Sequence, residues 1–295
     1  MRILVTGSDG QVGHELLKTL APLGEVVGIT RADGDLASPE VVDSLLERLR
    51  PDIVVNPAAY TAVDQAESEE AAARALNGGL PEKLARWAEA NGALLVHYST
   101  DYVYAGNGEA PMAENEPTAP LSVYGKTKLA GDEAILAHSP SSVILRTSWV
   151  YGARGRNFML TMLKLAAERN ELRVVADQFG APTPAWLIAQ VTALVIRARA
   201  SGNDAIHGVY HLTCRGDTSW CGFAREIIRL AGERGAELKM GEQRVFPIPT
   251  SEYPAPAPRP KNSRLDVSRI EQALAIQLPG WKAALSVTLG DWHKD

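Results

Sequence analysis

Tyr124 and Lys128 lie four residues apart in the stretch Tyr124-Gly-Lys-Thr-Lys128. On a helix that spacing puts both side chains on one face, one turn from each other. An ammonium beside a phenol favours the phenolate, so the pair predicts a tyrosine drawn below its usual pKa of about 10. Such a phenol is a usable proton donor. The same spacing also arises by chance on solvated helices. It gains chemical meaning only if the rest of the chain supplies what a proton-donating tyrosine needs.

Residues 2–6 (Arg-Ile-Leu-Val-Thr) form a short apolar run rich in β-branched side chains, the pattern of a strand buried on both faces. Gly7-Ser-Asp-Gly10-Gln-Val-Gly13 follows, then a helical pattern through Leu16, Leu17 and Leu20 that stops near Pro22 and Gly24. Glycines let a backbone come close to a pyrophosphate, and a helix start presents free N–H groups at the positive end of its dipole. Gly7, Gly10 and Gly13 are therefore expected at a dinucleotide phosphate site. Their spacing is G-x-x-G-x-x-G rather than the G-x-G-x-x-G of ordinary dinucleotide domains.

The second strand (25–31) ends in Thr30 and Arg31. An acidic residue in this region would take a ribose 2′-hydroxyl, whereas an arginine suits a 2′-phosphate. Arg31 thus favours NADPH, with NADH open, and Asp35 is placed to reach the adenine end. A third strand (52–56) runs into Pro57-Ala58-Ala59-Tyr60, where small side chains leave room for a ligand. The fourth (93–98) runs into Ser99-Thr100-Asp101-Tyr102; its His97, inside an apolar run, reads as a hydrogen-bonded core histidine. A polar loop rich in glycine and proline (106–120) precedes the helix that carries Tyr124 and Lys128, and a fifth strand lies within 141–149. Alternating strands and helices predict an α/β fold, a doubly wound parallel sheet of Rossmann type with a smaller C-terminal substrate-binding lobe. The expected division is a dinucleotide-binding domain over 1–150, with a return to the sheet at about 185–214. The substrate-binding lobe is then 151–184 and 215–295, including a proline-rich extended segment (247–260) and one closing helix.

Composition bounds the function. The chain has 295 residues, of which 45% are hydrophobic and 22% charged, with a formal net charge of −5 and no basic block. That argues against a nucleic-acid binder. No apolar run approaches the roughly 20 residues that span a bilayer, so no membrane role is expected. Cys214 and Cys221 lack metal-ligand spacing and fit a reduced cytoplasm better than a disulfide framework.

The phosphate turn, Ala58-Ala59, Ser99-Thr100-Asp101 and Tyr124 with Lys128 all follow strands at their carboxyl ends. Together they resemble the extended short-chain dehydrogenase/reductase superfamily, along essentially the whole chain. Within it, His97-Tyr-Ser-Thr-Asp-Tyr-Val103, Tyr124-Gly-Lys-Thr-Lys-Leu-Ala-Gly131, Arg146-Thr-Ser-Trp-Val-Tyr151 and Asp177-Gln-Phe-Gly-Ala-Pro-Thr183 are similar to the dTDP-4-dehydrorhamnose reductase family. The resemblance implies an oxidoreductase that reduces a dTDP-linked 4-keto sugar with NADPH or NADH, the last step of dTDP-L-rhamnose biosynthesis for cell-surface polysaccharide. It implies that Gly10, Gln11 and Val12 meet the cofactor pyrophosphate and that Asp35 and Leu36 lie near the adenine. Ala58, Ala59 and Tyr98 line the cofactor's path. Thr100 bonds the 4-keto oxygen, Asp101 orients the sugar, Tyr124 is the proton donor, and Lys128 holds the nicotinamide ribose. Trp149 is expected against the sugar or its diphosphate, and Arg259 and Arg264 near the diphosphate.

There are departures. Pro57 and Tyr60 replace an alanine and a histidine common around the third-strand motif, whereas Asp101-Tyr102, where the superfamily's dehydratases carry Asp-Glu, fits plain reduction. Some family members dimerise through magnesium held by glutamates; only Glu15 is well placed for that here, so no metal is expected, and a homodimer is left open. Two other readings share the superfamily, a nucleotide-sugar 4-epimerase that keeps its NAD bound and a non-catalytic reductase-like regulatory subunit. Intact Thr100, Tyr124 and Lys128 favour catalysis over the latter.

Overall fold

In the computed structural model, which describes residues 1–292, six strands run parallel in one sheet. They are Arg2–Val5, Glu25–Gly28, Ile53–Asn56, Leu94–Thr100, Val143–Thr147 and Gly208–His211, in the spatial order sixth, fifth, fourth, third, first, second. Ile53–Asn56 and Val143–Thr147 are buried at every position, because helices cover both faces of a parallel sheet. Successive strand residues point to opposite faces. Ile3 and Val5 accordingly join one apolar cluster with Leu16, Leu20 and Val195, while Leu4 joins another with Val42, Leu46 and Leu84. Burying each such side chain contributes about 1.5–3 kcal/mol.

The strand order reverses beside the first strand, which pairs with the second on one side and the third on the other. Helices leaving those strands diverge and open a crevice at their carboxyl ends, where open α/β sheets bind ligands. The chain returns to the sheet at Gly208–His211, paired in parallel with the fifth strand, after the helix Ala185–Ala200.

The C-terminal part differs from its sequence reading in two places. Val245–Ile248 is a strand, parallel to Leu172–Val175, although it contains Pro247. This two-stranded pair is all edge, and an edge position tolerates the missing N–H. The closing helix is two helices, Ser268–Leu274 and Trp281–Gly290, because Ala275 turns left-handed at φ 52°. The helical stretch between the third and fourth strands is interrupted. Glu70–Arg74 runs into a π-helical turn, Ala75–Gly79, whose buried Asn77 accepts the Tyr60 N–H at 2.9 Å.

Candidate active site at the carboxyl edge of the sheet

The turn after the first strand passes through Gly7, which takes φ 54°, and closes with Gly10 N–H donating to the Gly7 carbonyl at 3.0 Å. A Cβ on Gly13 would sit 2.2 Å from that same carbonyl oxygen, so only glycine lets the helix pack this tightly on the turn. The helix Gln11–Leu20 has no side-chain cap and no acidic residue in its first turn. Its orphan N–H groups and dipole therefore face the crevice without an acidic side chain in the first turn to occupy them, which suits a pyrophosphate.

A cavity of about 610 Å³ opens here. Gly7, Gly10, Gln11, Val12, Gly13, Arg31, Asp35, Leu36, Ala58, Ala59 and Tyr98 line it, together with Thr100, Asp101, Tyr124, Lys128 and Trp149. The close approach of the two glycines and the small Ala58-Ala59 step fit a dinucleotide. Arg31 is exposed and has no acidic partner among the described residues; the neighbouring Asp33 is spent on Thr30, accepting from its N–H (2.9 Å) and hydroxyl (2.8 Å). Tyr98 contributes less than its polar end suggests, since its hydroxyl is tied to Thr192 at 2.7 Å. Pro57 lines the cavity, whereas the Tyr60 hydroxyl donates to Glu69 at 2.8 Å.

Two of the residues expected at the site are not among those lining the cavity. Arg259 donates to Asp64 at 2.8 Å, and Arg264 donates to Asp217 at 2.9 Å and lies 4.5 Å over the Phe179 ring. Those acidic partners are distant in sequence, so the basic run Arg259-Pro-Lys-Asn-Ser-Arg264 gave no sign of them.

Ser122 caps the helix Val123–His138 by accepting from Gly125 N–H at 3.1 Å, which puts Tyr124 in the first turn and Lys128 one turn on. The Tyr124 ring meets Tyr102 edge to face at 5.5 Å. Contrary to the expectation from spacing, the phenol is pushed up from its ordinary pKa. Burial is the main cause, Thr100 pulls it back through a hydrogen bond, and Asp101 and Asp132 raise it further. The Lys128 ammonium is turned to the Tyr98 carbonyl at 2.7 Å and to His97 Nε2 at 3.2 Å. Burial brings Lys128 itself down to about 8, opposed by Asp132. Asp101 is 2% exposed; burial pushes it up to about 6, against hydrogen bonds from Ser263 and Thr100.

A buried ion pair stands behind these residues. Arg146 Nε donates to Asp132 at 2.9 Å and its Nη1 to the Tyr104 hydroxyl at 2.7 Å, which in turn contacts His211 Nε2 at 2.7 Å. The only sequence sign of it is that Asp132 follows Lys128 by four, on the same helix face. Trp149 is in the left-handed region at φ 51°, a conformation that costs an L-residue about 1–3 kcal/mol. One face of its indole is stacked on Trp220, with centroids 3.5 Å apart, so only the remaining surface is open to a ligand.

The family described as RmlD substrate binding domain matches residues 1–293. A dTDP-4-dehydrorhamnose reductase of Burkholderia thailandensis is 46% identical over 295 residues, 99% of each chain. A crystal structure of a dTDP-4-dehydrorhamnose reductase from Clostridium acetobutylicum superposes with a TM-score of 0.88 at 37% identity, covering 98% of this chain and 99% of that one. Another from Bacillus anthracis, in complex with NADP, gives a TM-score of 0.88 at 32% identity with the same coverage. The glycine turn, the Tyr124–Lys128 helix and full-length similarity agree, and the chain belongs to the dTDP-4-dehydrorhamnose reductase family.

Proposed function

We propose that this chain reduces the 4-keto group of dTDP-4-dehydro-L-rhamnose to give dTDP-L-rhamnose, with NADPH as reductant. The observation that carries this reading is that Thr100 and Tyr124 line one cavity with the glycine turn, so that a ketone held by the two hydroxyls would share the cavity with a dinucleotide held at the turn. The cofactor, when bound, supplies hydride to the carbonyl carbon. The chain's residues manage the oxygen and the binding. Thr100 donates to Asp101 Oδ1 at 3.0 Å and, with that hydroxyl turned to the substrate, donates instead to the ketone oxygen, to which Tyr124 gives a proton as negative charge develops there. Because burial keeps the Tyr124 phenol protonated, the donor is loaded at any pH near neutrality. Gly10–Gly13 hold the pyrophosphate, Arg31 the 2′-phosphate, and Lys128 the nicotinamide ribose. Asp101 and the open side of Trp149 orient the sugar. We assign residues 1–150 with the return at 185–214 to the cofactor, and 151–184 with 215–295 to the nucleotide sugar. Cys214 and Cys221, both buried free thiols, support a reducing cytoplasmic setting. Among the described residues no helix is long and apolar enough to cross a membrane.

The purified chain should consume NADPH on addition of dTDP-4-dehydrorhamnose, and much less with UDP- or GDP-linked keto sugars, as followed by nicotinamide absorbance. Stoichiometric tightly bound NAD without NADPH consumption would turn the reading into that of an epimerase. A second expectation concerns the 2′-phosphate. Arg31→Ala should raise KM for NADPH about tenfold or more while moving KM for NADH little, the loss of one charge-assisted phosphate contact. Equal changes for both cofactors would remove Arg31 from that role.

A further inference from the structure

A chain of polar side chains runs beneath the site, from the turn after the third strand to Lys128. Ala58 N–H donates to Thr6 Oγ1 at 3.2 Å, and that hydroxyl lies 2.6 Å from Asn56 Oδ1. Asn56 Nδ2 is 3.0 Å from His97 Nδ1, and His97 Nε2 is 3.2 Å from Lys128 Nζ. All four side chains are buried, with Thr6, Asn56, His97 and Lys128 at 2%, 1%, 0% and 2% exposure. Each group must therefore find its hydrogen-bond partners within the chain.

We propose that His97 is a positioning residue for the reduction, whose tautomer ties the charge of Lys128 to the orientation of the Asn56 amide. This rests on the reading of Lys128 as part of the reducing site. The argument is one of donors and acceptors. An ammonium can only donate. When Lys128 is charged, His97 Nε2 must accept from it, so the ring carries its proton on Nδ1. Asn56 then turns its amide oxygen to the ring and its NH₂ to Thr6. When Lys128 is neutral, its lone pair can accept from His97 Nε2–H, and Nδ1 then accepts from Asn56 Nδ2. The amide oxygen is then left for Thr6, the polarity of the 2.6 Å Thr6–Asn56 bond.

The imidazole stays neutral in both arrangements. Burial holds His97 well below its usual range, and the Lys128 charge lowers it further; a hydrogen bond to the Asn56 backbone opposes them. Lys128 contacts His97 and the Tyr98 carbonyl from the fourth strand; Asp132, one turn on along its own helix, acts on its charge, and Tyr124 and Asp101 line the same cavity. The Tyr98 carbonyl accepts from Lys128 in either charge state. His97 is the partner that adapts, so the amine keeps its place while its charge changes.

The tautomer can be read directly. In NADP-bound protein with ¹⁵N-labelled histidine, the His97 signals are assigned as those lost in His97→Gln, then followed through the alkaline range. The expected result is a neutral ring that changes from the Nδ1–H to the Nε2–H form as Lys128 loses its proton, near pH 8. One tautomer throughout, or a protonated ring, would overturn the proposal. No substrate is needed, so this outcome is separate from success or failure of the reductase assay. In kinetics, His97→Leu should move the basic limb of the kcat/KM profile down by about one pH unit, the scale of one hydrogen bond to a charged group, and His97→Gln should restore most of it. A lowered Tm with an unmoved pH profile would leave His97 a core residue only. Should His97→Leu fail to fold, the wild-type tautomer measurement decides alone.

Discussion

Tyr124→Phe is expected to lower kcat about 100- to 10,000-fold with KM for NADPH nearly unchanged, the range for losing a positioned proton donor. The hydroxyl is deleted but the ring, packed edge to face on Tyr102, stays, so the fold and the cofactor crevice should survive. The pH behaviour gives a second check. Tyr124 is raised above its ordinary value, so it does not run out of protons as pH rises towards 9. Lys128, brought down to about 8, does. Wild-type activity should therefore fall on the alkaline side with the Lys128 transition, and the residual activity of Tyr124→Phe should fall at the same place. A Tyr124→Phe enzyme as fast as wild type would remove the proton-donor role altogether.

Arg146→Met should destabilise the protein by about 3–5 kcal/mol, the usual cost of breaking a buried ion pair by removing one partner. Arg146 and Asp132 have side chains 5% and 0% exposed, so neither charge can fall back on water. The sign of the pH dependence follows from Asp132. Burial already raises its folded pKa, and Arg146 is the largest group pulling it down. Without Arg146 it rises further, and a carboxyl that is more basic folded than unfolded loses stability for the protein as pH climbs from the unfolded value, about 4, through the folded one. The deficit against wild type should therefore be small in acid and grow towards neutrality. Urea unfolding at about pH 5 and about pH 8 measures it. A deficit below about 1 kcal/mol at both would mean the pair behaves like an exposed one.

Much of this protein is determined by short stretches of sequence. The glycines at 7, 10 and 13, the apolar strand before them and the helix after them depend on near neighbours, and so does the placing of Tyr124 and Lys128 one turn apart. The carboxyl-edge rule then puts Ala58, Thr100 and Tyr124 in one crevice without knowledge of any distant contact. Electrostatics was decided by the tertiary structure. The spacing of Tyr124 and Lys128 says that they share a face, but burial and the Tyr98 carbonyl determine where the ammonium points. Arg259 and Arg264 look like free cations in the sequence and are paired with Asp64 and Asp217, nearly two hundred and about fifty residues away. His97 reads as a core histidine, which it is. Only the register that sets Asn56 directly across from His97 in the sheet gives that ring a partner on each nitrogen. A slip of one residue would turn His97 to the other face. Backbone geometry is written locally because it depends on residues a few positions apart, while charge and proton placement depend on which strands become neighbours and on how much water they exclude.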